Sequence, residues 1–200
     1  MSLKKAYLII FLVLLADQVS KIYVKTHFII GDADAVEVFS WFKIQFLENE
    51  GMAWGAKIPG DYGKLILTLF RILAVIGIGW WLWDSVQKKA SNFLIVAIAL
   101  IFAGAFGNII DSVFYGVIFN ESFSEPATLF STDPYGSLFH GRVVDMLYFP
   151  LFEGRFPEWV PIWGGEPFKF FNAIFNLADT AISVGIGILI VFNKKAFHKS

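Results

Sequence analysis

Four runs of apolar residues organise the chain, over about residues 5–24, 65–83, 93–110 and 171–192. Each is close to the roughly 20 residues that a helix needs to cross a hydrocarbon core of ~30 Å. Between the runs the pattern changes. Residues 26–64 alternate apolar and polar side chains (Val36, Val38, then Phe42, Ile44, Phe46), which predicts strands, and Gly51, Gly55 and Gly60 punctuate their end. Residues 111–170 hold Pro126, Pro134, Pro150, Pro157, Pro161 and Pro167 among many aromatics. Phe152, Phe156, Trp159 and Trp163 suit a headgroup interface; a short interfacial helix fits them, and the prolines oppose a long one. The expected fold is an all-α membrane protein with four transmembrane helices, a small outer β-sheet or cradle and an aromatic-rich outer loop. Residues 1–200 form one domain.

Basic residues set the orientation. Lys4 and Lys5, then Lys88 and Lys89, then Lys194, Lys195 and Lys199 fall on one side of an even-numbered topology. By the positive-inside rule that side is cytoplasmic, and residues 26–64 and 111–170 face outward. Lys4-Lys5 and the run after it also fit the start of a signal peptide, but no small-x-small cleavage site follows and helical sequence continues to Lys25.

Composition agrees. The 200 residues are 56% hydrophobic and 16% charged, against about 25% charged in soluble domains. A net charge of −1 gives no reason to expect nucleic acid as a partner. Cysteine is absent, which removes disulfides, thiol nucleophiles and thiolate metal sites. His27, His140 and His198 are scattered outside the apolar runs, so no metal and no cofactor are expected.

The charges inside the runs carry the chemistry. An ionised side chain at a helix centre costs at least about 2.5–3.5 kcal/mol on insertion scales and marks a functional site by default. On the expected topology Asp17 and Lys21, Arg71, Asn108 and Asp111, and Asp179 all fall in the outer part of the bilayer, and a shared polar pocket follows. Each has a plainer reading. Asp17 and Lys21 are spaced as an intrahelical ion pair; Arg71 either neutralises an aspartate or snorkels to the surface; Asp111 fits a helix cap; Asn108 and Asn176 fit interhelical hydrogen bonds. Asp179 fits a structural ion pair, and by position alone Asp145 is equally an ordinary loop carboxylate.

Five ordered segments resemble the lipoprotein signal peptidase, or signal peptidase II, family: Asp17-Gln18-Val19-Ser20-Lys21, Asn49-Glu50-Gly51-Met52-Ala53-Trp54-Gly55, Gly107-Asn108-Ile109-Ile110-Asp111, Val143-Val144-Asp145 and Phe175-Asn176-Leu177-Ala178-Asp179. Each is weak alone; all five in order on a four-span frame are specific. The resemblance implies that Asp145 and Asp179 are the catalytic dyad of an aspartic peptidase. It implies a bacterial inner-membrane enzyme, with its site at the periplasmic side, that cuts a prolipoprotein before a cysteine already carrying diacylglycerol. Two departures stand out. Ser112 replaces the arginine that usually follows the third segment, with Arg142 as a possible substitute. The stretches 112–141 and 146–171 are longer than usual.

The expected chemistry follows. Two carboxylates about a water apart share one proton: the ionised one activates water, and the other protonates the carbonyl oxygen. The deeper Asp179 is expected to hold that proton, unless a neighbouring charge reverses the order. Asn49, Asn108 and Asn176 are candidate donors to the substrate; Arg142 or Arg71 can hold a lipid ester or phosphate; Asp17 and Lys21 brace the first helix; the loop Gly51–Gly60 can cover the substrate. Expected partners are the lipidated substrate and membrane lipids, for a monomer. A small transporter or proton-coupled channel is the competing reading, opposed by the lack of charge near the inner span ends and of inverted repeats. A non-catalytic scaffold is the third.

Overall fold

The computed structural model describes residues 1–31, 35–50, 59–60 and 62–197. Helix α1 is Leu3–His27, α2 is Gly63–Gln87 and α3 is Asn92–Ile110. Helix α1 inverts the pattern of a soluble helix. Tyr7, Leu8, Phe11, Leu12 and Leu15 are about half exposed, while Asp17, Lys21 and Lys25 are fully buried. Such an exterior is stable only against lipid. Helix α2 likewise turns Phe70, Leu73, Ile76 and Trp80 outward and buries Thr68, Val75 and Leu82 at seven-residue steps.

Helix α3 is the centre of the bundle and packs against α1, α2 and a later helix, α5 (Leu177–Val191). The α3–α5 seam is built from small residues, as expected where no hydrophobic drive exists between helices in lipid. A Cβ on Gly104 would lie 2.2 Å from the Ala178 carbonyl oxygen, and one on Gly107 would lie 2.7 Å from Asp17 Oδ2. The helix does not end at Ile110, as the hydropathy suggested. It continues through a π-helical turn, Asp111–Tyr115, and a short α4, Gly116–Ile118. Asp111 is therefore an interior residue, fully buried, rather than a terminal one.

Among the described residues three helices, Leu3–His27, Gly63–Gln87 and Asn92–Ile118, are long and apolar enough to cross a membrane. The expected fourth span begins later than residue 171. Ile174–Phe175 is a strand and Asn176 caps α5, its side chain accepting from Asp179 N at 2.9 Å. The 15 residues of α5 reach about 22 Å, and the short α6, Asn193–Phe197, follows.

The alternating segment does form strands. β1 (Val36–Phe39) and β2 (Phe42–Asn49) are an antiparallel hairpin. The sheet is completed from far along the chain by β3 (Val143–Tyr148) and by Ile174–Phe175 as β6, in the order β1-β2-β3-β6. Leu47 pairs with Asp145 and Asn49 with Val143. Val144 and Met146 pack with Val24, Phe46, Tyr115 and Phe119 in a core beneath the sheet. The aromatic-rich segment folds as a second hairpin, β4 (Phe152–Arg155) with β5 (Pro167–Phe170). Among the described residues no helix occupies 119–176.

Candidate active site

Two carboxylates from distant segments are connected through asparagine side chains. Asp145 lies on β3, and pairing with β2 fixes its register. Asp179 lies in the first turn of α5, where the aligned N–H groups favour negative charge. Two asparagines join them. Asn176 Nδ2 donates to Asp145 Oδ1 at 2.7 Å and to Asn108 Oδ1 at 3.2 Å; Asn108 Nδ2 donates to Asp179 Oδ1 at 2.8 Å. Asn49 Nδ2 donates to Asp145 Oδ2. The three asparagines expected to face a substrate are thus spent in this structure on holding the two aspartates.

The Asp145 carboxyl is pushed up to about 7. Burial is the main cause and the charge of Asp179 the second; Lys21, Asn176 and Asn49 act in the opposite direction and are outweighed.

Beneath the asparagines lies a closed charge cluster. Lys21 Nζ donates to Asp17 Oδ2 at 2.9 Å, to Asp111 Oδ2 at 2.8 Å and to Asn108 Oδ1 at 2.9 Å. That employs all three ammonium protons. Asp17 Oδ1 accepts from Ala178 N at 2.9 Å. Gln18 Nε2 reaches Asp111 Oδ1 at 3.0 Å, and its Oε1 accepts from Tyr115 at 3.2 Å. The expected Asp17–Lys21 pair is present, but it is one edge of a cluster tying α1 to α3 and to the first turn of α5. Lys21 also orients Asn108, and through it Asp179.

A second network sits beside the first. Arg142 forks onto Glu121 at 2.8 and 2.9 Å and reaches Glu48 Oε2 at 3.1 Å. Lys25 pairs with Glu48 and donates to Ser122 Oγ at 3.1 Å. The Arg142 guanidinium lies 4.6 Å from the Tyr135 ring. The two Glu121 bonds hold the Arg142 guanidinium above its ordinary range and the Glu121 carboxyl below its own. Arg142 is therefore engaged with Glu48 and Glu121, not with Asp111 as the charge missing at Ser112. It lines a cleft of about 440 Å³ with Ile30, Leu47, Glu48, Asn49, Glu50 and Phe123, and Asn49 links that cleft to Asp145. Sequence reasoning gave no role to Gln18, Lys25, Glu48, Glu121 or Tyr135. The one available signal was the spacing Asp17, Lys21, Lys25, which repeats a polar residue every fourth position on an apolar helix.

Arg71 stands apart, half-buried on α2. Gly51 and the rest of its loop, through residue 58, lie outside the described residues. Among the described residues no group of three or more His, Cys, Asp or Glu side chains is arranged to hold a metal ion.

A family model described as Signal peptidase (SPase) II matches residues 9–194. The chain is 49% identical over 185 residues to the lipoprotein signal peptidase of Porphyromonas gingivalis, covering 92% of this chain and 80% of that one. It is 38% identical over 197 residues to the lipoprotein signal peptidase of Amoebophilus asiaticus, covering 96% and 78%. A bacterial membrane enzyme solved by the in meso method at 1.9 Å superposes with a TM-score of 0.63 at 27% identity, over 96% of this chain and 94% of that one.

Proposed function

The chain belongs to the signal peptidase II family, and from that premise we propose that it is an aspartic endopeptidase whose dyad is Asp145 and Asp179. Its substrate is a diacylglyceryl-modified prolipoprotein, cut before the lipidated cysteine. The observation that carries this reading is the asparagine bridge, which links two carboxylates from distant segments through Asn176 and Asn108.

The pair shares one proton, placed on Asp145, whose carboxyl is raised by burial and by the charge of Asp179. Asp179 takes a proton from water as the water oxygen bonds to the scissile carbonyl carbon. Asp145 gives its proton to the carbonyl oxygen, and a gem-diol forms. Collapse returns a hydroxyl proton to Asp145, breaks the C–N bond and passes the Asp179 proton to the leaving amine. Both carboxyls regain their starting states, and the pair titrates as a unit. Asn49, Asn108 and Asn176 hold the two carboxylates, and Lys21, paired with Asp17 and Asp111, holds Asn108.

Helices α1, α2, α3 and α5 are the four spans, with both termini cytoplasmic and the dyad at the periplasmic face of a bacterial inner membrane. The Lys and Arg distribution supports this. The enzyme acts as a monomer. The outer hairpins rest in the lipid headgroups: Phe39, Trp41, Phe149, Phe175 and Phe171 form a continuous chain of ring contacts from the β1–β2 turn to the start of α5.

The test is incubation of the purified full-length protein with a diacylglyceryl-modified prolipoprotein. Mass spectrometry should find one cut, immediately before the modified cysteine, unaffected by EDTA. A different cut site, or activity that EDTA abolishes and zinc restores, would overturn this reading.

A further inference from the structure

Arg71 has no explanation in the fold. It lies between Thr68 and Val75 on the stripe by which α2 meets α3. Ile72, Val75, Ile109, Val113 and Phe139 pack around that contact. Its Nη1 is sealed from solvent with no hydrogen-bond partner, the one side-chain nitrogen or oxygen in that state among the described residues. A buried donor without an acceptor is costly, and either plain role for an arginine here would remove that cost. A snorkelling arginine would reach water, and a structural one would close on a carboxylate.

The charges nearest in effect are Asp179 and then Asp111, yet neither takes an ion pair from Arg71. Asp111 is filled by Lys21, Gln18 and Val144 N. Asp179 Oδ1 is held by Asn108. The donor is therefore buried without a partner, within reach of the charge of Asp179, on a helix that packs on α3.

We propose that Arg71 is a substrate-binding residue whose Nη1 donates to an uncharged carbonyl oxygen of the lipidated substrate, either the scissile peptide carbonyl or an ester carbonyl of the diacylglyceryl group. This rests on the dyad reading above. Asp179 and Asp111 oppose an anion at this position while Lys64 on the same helix favours one, and an uncharged carbonyl oxygen is compatible with both. The surrounding apolar side chains fit an acyl chain or an apolar signal helix. An acceptor that arrives with the substrate satisfies this N–H only in the complex, where the low dielectric strengthens the bond.

The test is steady-state cleavage by the full-length protein in lipid nanodiscs, with Arg71→Gln and Arg71→Met. Two prolipoprotein peptides are compared, one with ester-linked acyl chains and one with ether-linked alkyl chains that lack the carbonyls. Both variants should lose about 10- to 100-fold in kcat/KM on the ester substrate, the range of one charge-assisted hydrogen bond. Both should keep the pH limits of the rate and melt at or above the wild-type temperature, since each removes the unpartnered Nη1. A loss that vanishes on the ether substrate assigns the ester carbonyl; an equal loss on both, carried by kcat, assigns the scissile carbonyl. Unchanged kcat/KM overturns the proposal, as does failure of both variants to fold. So does a loss that moves the pH limits and is restored by Arg71→Lys, which would make Arg71 a charge partner of Asp179. Asp179→Asn on the same peptides keeps the two claims apart, since an active Asp179→Asn removes the dyad whatever Arg71 does.

Discussion

Asn176 does the most with one side chain. It caps α5, donates to Asp145 and to Asn108, and reaches the Val144 carbonyl at 3.2 Å. Asn176→Ala should cost about 1 kcal/mol as a lost cap, together with a far larger loss of activity as the carboxylates lose their spacer. Paired melting and rate measurements check both. Lys21 predicts the opposite balance. It is the counter-ion of Asp17 and Asp111, all fully buried, so Lys21→Met should destabilise by roughly 3–5 kcal/mol, the cost of orphaning buried charge. The melting temperature should fall well before any specific catalytic effect can be read. Asp145 makes the stability of the fold depend on pH. Its folded carboxyl is raised from 3.8 to about 7, so between those values the folded state binds more protons than the unfolded one. The Asp145 contribution to stability is therefore present at low pH and lost as pH rises through about 7. Melting temperatures from pH 4 to pH 8 should show this decline in the wild type and lose that component in Asp145→Asn. An unchanged slope would contradict the assignment.

Between elements, the tightest joint is α3 on α5. Gly104 faces the Ala178 backbone and Gly185 faces the Ala97 carbonyl, where added Cβ atoms would stand at 2.2 and 2.7 Å. Neither obstacle is a flexible side chain. Gly104→Ala should separate the helices, cost about 1–3 kcal/mol and displace Asp179 from Asn108; melting and cleavage assays should decline together. The helices were legible because an apolar run of the right length is a strong local signal, and Asp179 was legible because a carboxylate in such a run is expensive. The β1–β2 alternation was legible for the same local reason. The pairing of Leu47 with Asp145 was not, since strands almost a hundred residues apart leave no local trace of register. That pairing turns an ordinary-looking loop carboxylate into half of the site, and only the motif resemblance pointed to it. Helix α3 runs past Ile110 because Asp111 and Ser112 are satisfied inside the protein, by Lys21 and by the Asn108 carbonyl. Hydropathy counts such residues as breaks. The outer aromatic segment gave a composition without a period, so its hairpin could not be distinguished from an interfacial helix.

Across the whole molecule, polarity is arranged in layers. The inner half of the bundle is a dry core of Ala6, Ile10, Leu82, Ile95 and Ile98. The Lys21 cluster lies above it, then the asparagine bridge, then the dyad under the sheet. Lys21 orients Asn108, which donates to Asp179, and the fully buried Asn176 donates to Asp145. The β4–β5 hairpin is the most exposed apolar feature, with Trp159 at 81% and Ile162 at 90% accessibility. If it rests in the headgroups, brominated lipids should quench the fluorescence of a protein retaining Trp159 alone, and replacing Trp159 and Ile162 with serine should weaken cleavage in bilayers more than in detergent micelles. The central claim, that Asp145 and Asp179 together carry the chemistry, is tested most directly by single-turnover cleavage of a diacylglyceryl-modified prolipoprotein in proteoliposomes by Asp145→Asn and Asp179→Asn. The account predicts that each variant inserts and melts cooperatively, yet leaves the substrate uncut over times in which the wild type consumes it. Cleavage by either variant at a rate near that of the wild type would contradict it.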